Sequence, residues 1–244
     1  MIEIKNLTKS FGNNLIWEDV SLTIEDGETL AIIGKSGSGK SVLMKHLNVL
    51  LYPDSGAVLI DGVNVFHMRY ARLRKLRQRF GVLFQGAALF DSISAFENVA
   101  FPLRFFTDLD DNEIEKRVLE SLEMVHLSKI GNKSPAELSG GMRKRVGLAR
   151  AIVLKPDYLL YDEPTSGLDP QTSDEINDLI INMAESLDIT SIVISHDMHS
   201  VLRVADKVAF LDEQKLSWYG TLDELRNSSH KSLNQFIKAS EYSI

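Results

Sequence analysis

The chain has 244 residues, 44% of them hydrophobic and 25% charged, with a net charge of -7 at pH 7. That suits one large globular domain or two closely packed subdomains, and the acidic balance argues against a general affinity for nucleic acid. Cysteine is absent, which excludes a disulfide framework, a thiol nucleophile and a cysteine-based metal site, and points to a cytosolic compartment. No apolar run reaches the roughly 18 residues that a membrane-spanning helix needs.

In chain order, Met1-Ile-Glu-Ile-Lys5 lacks the basic-then-apolar layout of a signal and reads as the start of a first strand. Strands are predicted over Glu3–Leu7, Ile16–Ile24 and Glu28–Ile33. The third runs into Gly34-Lys35-Ser36-Gly37-Ser38-Gly39-Lys40-Ser41, which fits G-x-x-x-x-G-K-[ST]. An apolar-periodic helix with Val42, Leu43, Leu47 and Leu50 follows. Glycines let backbone N–H groups turn inward around phosphate oxygens, and the helix aims its positive end at them. Lys40 suits the β- and γ-phosphates, and the Ser41 hydroxyl suits Mg²⁺. Alone, the loop says nucleotide and would fit a kinase, a GTPase or a motor equally well.

Pro53–Gly56 is predicted as a turn and Ala57–Asp61 as a short strand. The basic run from Arg69 to Arg79 has two readings. It is a solvated helix face with Leu73, Leu76 and Phe80 turned inward, or a contact to anionic lipid headgroups or an acidic partner. Its spacing favours the first. Gly81–Phe84 reads as a buried strand ending at Gln85, and from about 88 to 155 the pattern is helical. There Asp110-Asp-Asn-Glu113 offers a capping box ahead of Ile114, Val118, Leu122 and Val125. Strands return at Tyr158–Tyr161, Thr190–Ile194 and Lys207–Leu211, with helices at about 171–187 and 197–205. This alternation predicts a largely parallel sheet covered by helices, an α/β nucleotide-binding core interrupted by a helical insert.

Two strand ends carry chemistry. Tyr158–Tyr161 ends in Asp162 and Glu163, and strand alternation is expected to point the two carboxylates in opposite directions. Asp162 suits a Mg²⁺ site, and Glu163 suits a general base on the attacking water. His196 follows Thr190–Ile194, at the carboxyl edge where open α/β sheets bind ligands, able to hydrogen-bond a γ-phosphate and water. Gln85 is a further polar residue on that edge, able to touch Mg²⁺ or water. His46, His67, His126, His199 and His230 have no such setting and read as surface or packing residues.

Leu138-Ser139-Gly140-Gly141-Met142-Arg143-Lys144-Arg145 opens a helix after the insert. Taken in order with the phosphate loop, Gln85, Asp162-Glu163, Ser166-Gly167-Leu168-Asp169 and His196, it closely resembles the ABC-transporter ATPase family over about residues 2–220. The resemblance implies a RecA-like P-loop core at about 1–87 and 156–225, with an N-terminal antiparallel β subdomain. It further implies a helical signature subdomain at about 88–155 and a short helical tail at about 226–244. ATP and Mg²⁺ are the implied ligands.

By the same resemblance, Phe11 stacks on adenine where Tyr is more usual, and Gln85 senses Mg²⁺ and faces a membrane partner. Ser139, Gly140 and Gly141 clamp the γ-phosphate of a second subunit's ATP, a fitting task for a helix N-terminus. Asp169 belongs to the dimer-interface loop. The signature's fifth residue, usually Gln, is Met142 here. The implied assembly is a nucleotide-sandwich homodimer on permease subunits at the cytoplasmic face of a membrane.

Phe84–Ser92, Phe96–Leu103 and the stretch 138–152 look like the Mla/MCE-type phospholipid-transport branch, which implies an MCE-type lipid-binding partner. Phe90, Phe96, Phe101, Phe105 and Phe106 cluster just after Gln85, where some are expected to line the groove for a membrane subunit. The alternatives are an amino-acid or ion importer ATPase and a soluble ATPase of iron–sulfur assembly.

Overall fold

The computed structural model describes residues 1–240; 241–244, the end of the expected tail, lie outside the described residues. The chain opens with strands β1 (Ile2–Phe11), β2 (Asn14–Ile24) and β3 (Thr29–Ile33), then helix α1 (Lys40–Leu47). Strands β4 (Ser55–Ile60) and β5 (Val63–Asn64), helix α2 (Tyr70–Gln78) and strand β6 (Phe80–Leu83) follow. The insert contributes α3 (Ala95–Phe106), α4 (Asp111–Met124) and α5 (Gly140–Ile152). The remainder is β7 (Tyr158–Asp162), α6 (Pro170–Leu187), β8 (Thr190–Ile194), α7 (Met198–Val204), β9 (Lys207–Asp212), β10 (Lys215–Thr221), α8 (Leu222–Arg226) and α9 (Lys231–Ala239).

Two sheets form. Four antiparallel strands pair in the order β2-β1-β4-β5, and six pair in the order β10-β9-β3-β8-β7-β6. In the larger sheet every pair is parallel except β10 with β9. Its central strands are buried on both faces, as parallel strands under helices must be, so β3 and β8 read as unbroken apolar runs. Alternation sorts their side chains. Leu30 and Ile32 join the core shared with the antiparallel sheet, and Ala31 and Ile33 the core under α7 and α9. Likewise Leu159 and Tyr161 of β7 enter a third core, built mainly on α3, α4, α5 and α6.

Helix α2 carries the basic run with Leu73 and Leu76 buried. Its charges are not all in water: Arg77 donates to the Val49 carbonyl at 2.6 Å, and Arg79 pairs with Asp61 at 2.8 Å and with Asp157. The capping box expected at Asp110 forms by half. Asp110 accepts from the Glu113 N–H at 2.9 Å, while the Glu113 carboxylate turns to Arg117 at 3.0 Å.

Candidate active site

Four adjacent parallel strands each deliver one chemical feature at their carboxyl ends, with β3 giving the phosphate loop and β8 giving His196. β7 gives Asp162 and Glu163, and β6 gives Gln85. An open cleft of about 600 Å³ joins them, walled by Ile16, Gly34, Lys35, Ser36, Gly37, Gly39, Lys40, Ser41, Val42, Gln85, Asp162, Glu163, Ile194, His196 and Phe236. Site features grouped on one carboxyl edge are the rule for open α/β sheets.

The loop is shaped by its glycines. Gly34 has φ 151°, and a Cβ there would lie 2.4 Å from the Leu211 carbonyl oxygen and 2.7 Å from Ser38 Oγ. Only glycine fits. Lys40 folds back over the loop and donates to the carbonyls of Gly34 at 2.8 Å and Lys35 at 3.0 Å. Burial pushes its ammonium below the ordinary lysine range, and Glu163 and Asp162 pull it back up. The Ser38 hydroxyl is buried with no hydrogen-bond partner, an orphan polar group inside the loop.

The Ser41 hydroxyl donates to the Asp162 carboxylate at 3.3 and 3.4 Å. Burial pushes the Asp162 carboxyl above the ordinary range; the Ser41 hydrogen bond opposes this and Glu163 adds to it. A hydroxyl and a carboxylate facing each other across the cleft are hard oxygen donors. They suit Mg²⁺, which is commonly bound by one or two carboxylates together with substrate phosphates.

The expectation that Asp162 and Glu163 point oppositely is corrected. Glu163 has φ 50°, so the chain leaves strand geometry there and both carboxylates line the same cleft. The turn puts Glu163 Oε2 at 2.8 Å from His196 Nδ1. Gln85, exposed and also lining the cleft, has Nε2 at 3.4 Å from Ser166 Oγ.

The signature residues lie elsewhere. Ser139 caps α5, its Oγ accepting from the Met142 N–H at 3.2 Å, and Gly141 abuts Thr172 of α6. None of Ser139, Gly140 or Gly141 lines the cleft. Met142 is half-buried against the core of the helical layer, so an apolar side chain has a packing role there. Asp169 caps α6 through the Thr172 N–H at 3.0 Å. Phe11 is 47% exposed outside the cleft walls, with Lys9 Nζ 5.2 Å from its ring centroid.

Three features escape the sequence reading. Ile16 and Phe236 wall the cleft, the latter arriving from α9 at the other end of the chain. Lys144, 5% exposed, donates to the Glu163 carbonyl at 3.0 Å. The helical period of α5 and the amphipathic face of α9 were the available signals, and neither says which residue meets the cleft.

A phosphate loop, an acidic strand end and a polar strand end on one sheet edge define a P-loop ATPase. The chain belongs to the ABC transporter family, whose model matches residues 17–166, and it is an ATP-hydrolysing subunit of that family. It is 43% identical over 97% of its length to "Probable ribonucleotide transport ATP-binding protein mkl" of Mycobacterium leprae, of which it spans 68%. It spans 66% of the corresponding Mycobacterium tuberculosis proteins, about two thirds of these relatives' length. It is also 42% identical over 98% of its length to the intermembrane phospholipid transport system ATP-binding protein MlaF of Haemophilus influenzae, spanning 90% of it. A methionine import ATP-binding protein MetN from Corynebacterium efficiens is 42% identical, with 96% of this chain and 66% of that protein covered. Among solved structures, a dimeric ATP-binding cassette in a post-hydrolysis state with ADP and Pi superposes with TM-score 0.83 and 33% identity. That match covers 91% of this chain and 99% of the other.

Proposed function

We propose that the cleft binds Mg-ATP and hydrolyses it with Glu163 as general base, to power a phospholipid transporter of the Mla type. The observation that carries the hydrolytic assignment is the Glu163–His196 contact of 2.8 Å at the cleft's carboxylate wall. There the two can share the attacking water between them. The phosphate loop and Lys40 hold the triphosphate. Ser41, Asp162 and Gln85 would hold Mg²⁺, which when bound neutralises charge developing on the phosphates. Phe11 supports the adenine. Glu163→Gln is expected to keep ATP binding and to cut turnover by about 10²–10⁴. Turnover within a few-fold of wild type would reject the base.

Ser139, Gly140, Gly141 and Asp169 lie outside this cleft, and that supports their acting on the nucleotide of a second copy in a head-to-tail dimer. The dimeric cassettes at TM-score 0.83 are consistent with that assembly.

The phospholipid reading rests on the likeness to MlaF at 42% and 37% identity over nearly the whole chain. Among the described residues no helix is long and apolar enough to cross a membrane. On this reading the work on a bilayer is done through permease subunits. Phe90, Phe101 and Phe105 are exposed, with ring centroids 4.9 and 6.1 Å apart in succession. This aromatic ridge beyond Gln85 suits a permease contact on the cytoplasmic face of the membrane. Phe96, by contrast, packs against the helical core. A second reading, an amino-acid importer, is favoured by the MetN likeness. Purifying the native complex and identifying its partners and bound lipid separates them: a permease with an MCE-type protein supports the first, an amino-acid permease the second.

A further inference from the structure

Helix α5 reaches the active site from behind through one side chain. Lys144 is 5% exposed, and lysine is rarely buried so deeply unless its ammonium has a partner. That partner is the main-chain carbonyl of Glu163, at 3.0 Å. The same carbonyl accepts from the Ser166 N–H at 3.2 Å, and the Glu163 N–H donates to the Ile194 carbonyl at 2.9 Å. The Glu163 main chain is therefore held by three hydrogen bonds, in a left-handed conformation, φ 50°, that is uncommon for a residue with a Cβ. This conformation turns the carboxylate out of strand alternation and onto His196.

The helix that supplies the ammonium begins at Ser139–Gly141. Toward its other end Arg150 donates to the carbonyls of Ala87 at 2.6 Å and Ala88 at 2.7 Å, just beyond Gln85. So α5 bonds the main chain at Glu163 and just beyond Gln85 without lining the cleft itself.

We propose that Lys144 is a positioning residue for ATP hydrolysis: its buried ammonium ties α5 to the left-handed Glu163 peptide and so holds the carboxylate at His196. The proposal rests on Glu163 being the base, and it makes the aim of that base depend on where the signature helix sits. A bland role, merely satisfying a buried carbonyl, would affect folding but not the chemical step selectively.

The test uses the full chain with Lys144→Met, which removes the donor, and Lys144→Gln, which restores an N–H. Turnover, KM and affinity for a fluorescent Mg-ATP analogue are measured beside thermal unfolding. Lys144→Met is expected to lower kcat at least tenfold with KM and nucleotide affinity within threefold, and Lys144→Gln to recover most of the loss. In a Glu163→Gln background, single-turnover hydrolysis should change less than twofold on adding Lys144→Met, because the tie acts through that carboxylate. Wild-type kcat in folded Lys144→Met, or equal losses in both backgrounds, would overturn the proposal. If Lys144→Met does not fold, Lys144→Arg replaces it. The bulkier planar head displaces the carbonyl and is expected to cut kcat at least threefold at unchanged KM, and wild-type kcat there overturns the proposal equally. Wild-type turnover in Glu163→Gln alone would instead reject the base assignment itself, before any change at Lys144.

Discussion

The junction of α5 and α6 gives a prediction whose sign can be reversed at will. A Cβ added at Gly141 would lie 2.5 Å from Thr172 Cγ2, about 1 Å inside ordinary carbon contact. Thr172 has little freedom to turn away. Its N–H donates to Asp169 Oδ1 at 3.0 Å and its hydroxyl to Asp169 Oδ2 at 2.6 Å. Overpacking of this kind costs about 1–3 kcal/mol. The better helix propensity of alanine returns about 0.5–1 kcal/mol. Gly141→Ala should therefore destabilise by about 1 kcal/mol net, or about 2–4 °C in Tm for a chain of this size. Thr172→Ser deletes the offending methyl and keeps the hydroxyl. In that background Gly141→Ala should become neutral or stabilising by up to about 1 kcal/mol. Urea unfolding of the four proteins measures the cycle. An equal Gly141→Ala effect in both backgrounds would refute the packing argument.

Hydrogen bonds from the Thr172 hydroxyl and N–H hold the Asp169 carboxyl below the usual carboxylate range. Its contribution is then complete above the unfolded value, about 3.9, and is lost as pH falls through the lower folded value. Asp169→Asn should lower stability at pH 7 and flatten the acid limb of urea-midpoint curves; parallel curves for the two proteins would contradict this. Mixing Lys40→Ala with Ser139→Arg chains should restore ATPase activity through heterodimers with one intact composite site. No recovery, with heterodimers shown by native mass spectrometry, would reject the head-to-tail assembly. Phe101→Glu should uncouple transport in the native complex and leave ATP binding by the isolated subunit unchanged, as read by vesicle transport and nucleotide titration.

The strands were legible because a strand buried on both faces must be an apolar run, and a polar residue closing such a run stands out. That exposed Asp162, His196 and Gln85 together with the phosphate loop. Glu163 is legible as a carboxylate closing the strand but its direction is not, since period-two alternation makes no allowance for a left-handed residue imposed by the tertiary surroundings. Arg143, Lys144 and Arg145 look alike as a basic triplet, yet the fold sends them to three different places. Arg143 donates to the Leu138 carbonyl at 2.6 Å, Lys144 to that of Glu163, and Arg145 pairs with Glu175. Which of three adjacent cations turns inward depends on the rotation of α5 about its axis, and packing sets that. Phe236 was illegible for a related reason, because its place at the cleft comes from α9 docking on Phe210, with ring centroids 5.3 Å apart.

The position of β3 bears on how the protein comes into being. Its hydrogen-bonded neighbours are β8 and β9, both in the last quarter of the chain. The glycine-rich loop emerges early from the ribosome, attached to a strand with neither flank in place. The Leu211 carbonyl that crowds Gly34 belongs to β9 and arrives among the last parts of the sheet. The glycine-rich loop therefore has its full surroundings only when the β9 segment has been made and the sheet has closed around β3. A ligand that binds the finished fold and not the unfolded chain raises its stability by mass action. For a newly made copy, the loop near the start of the chain waits on a strand near its end.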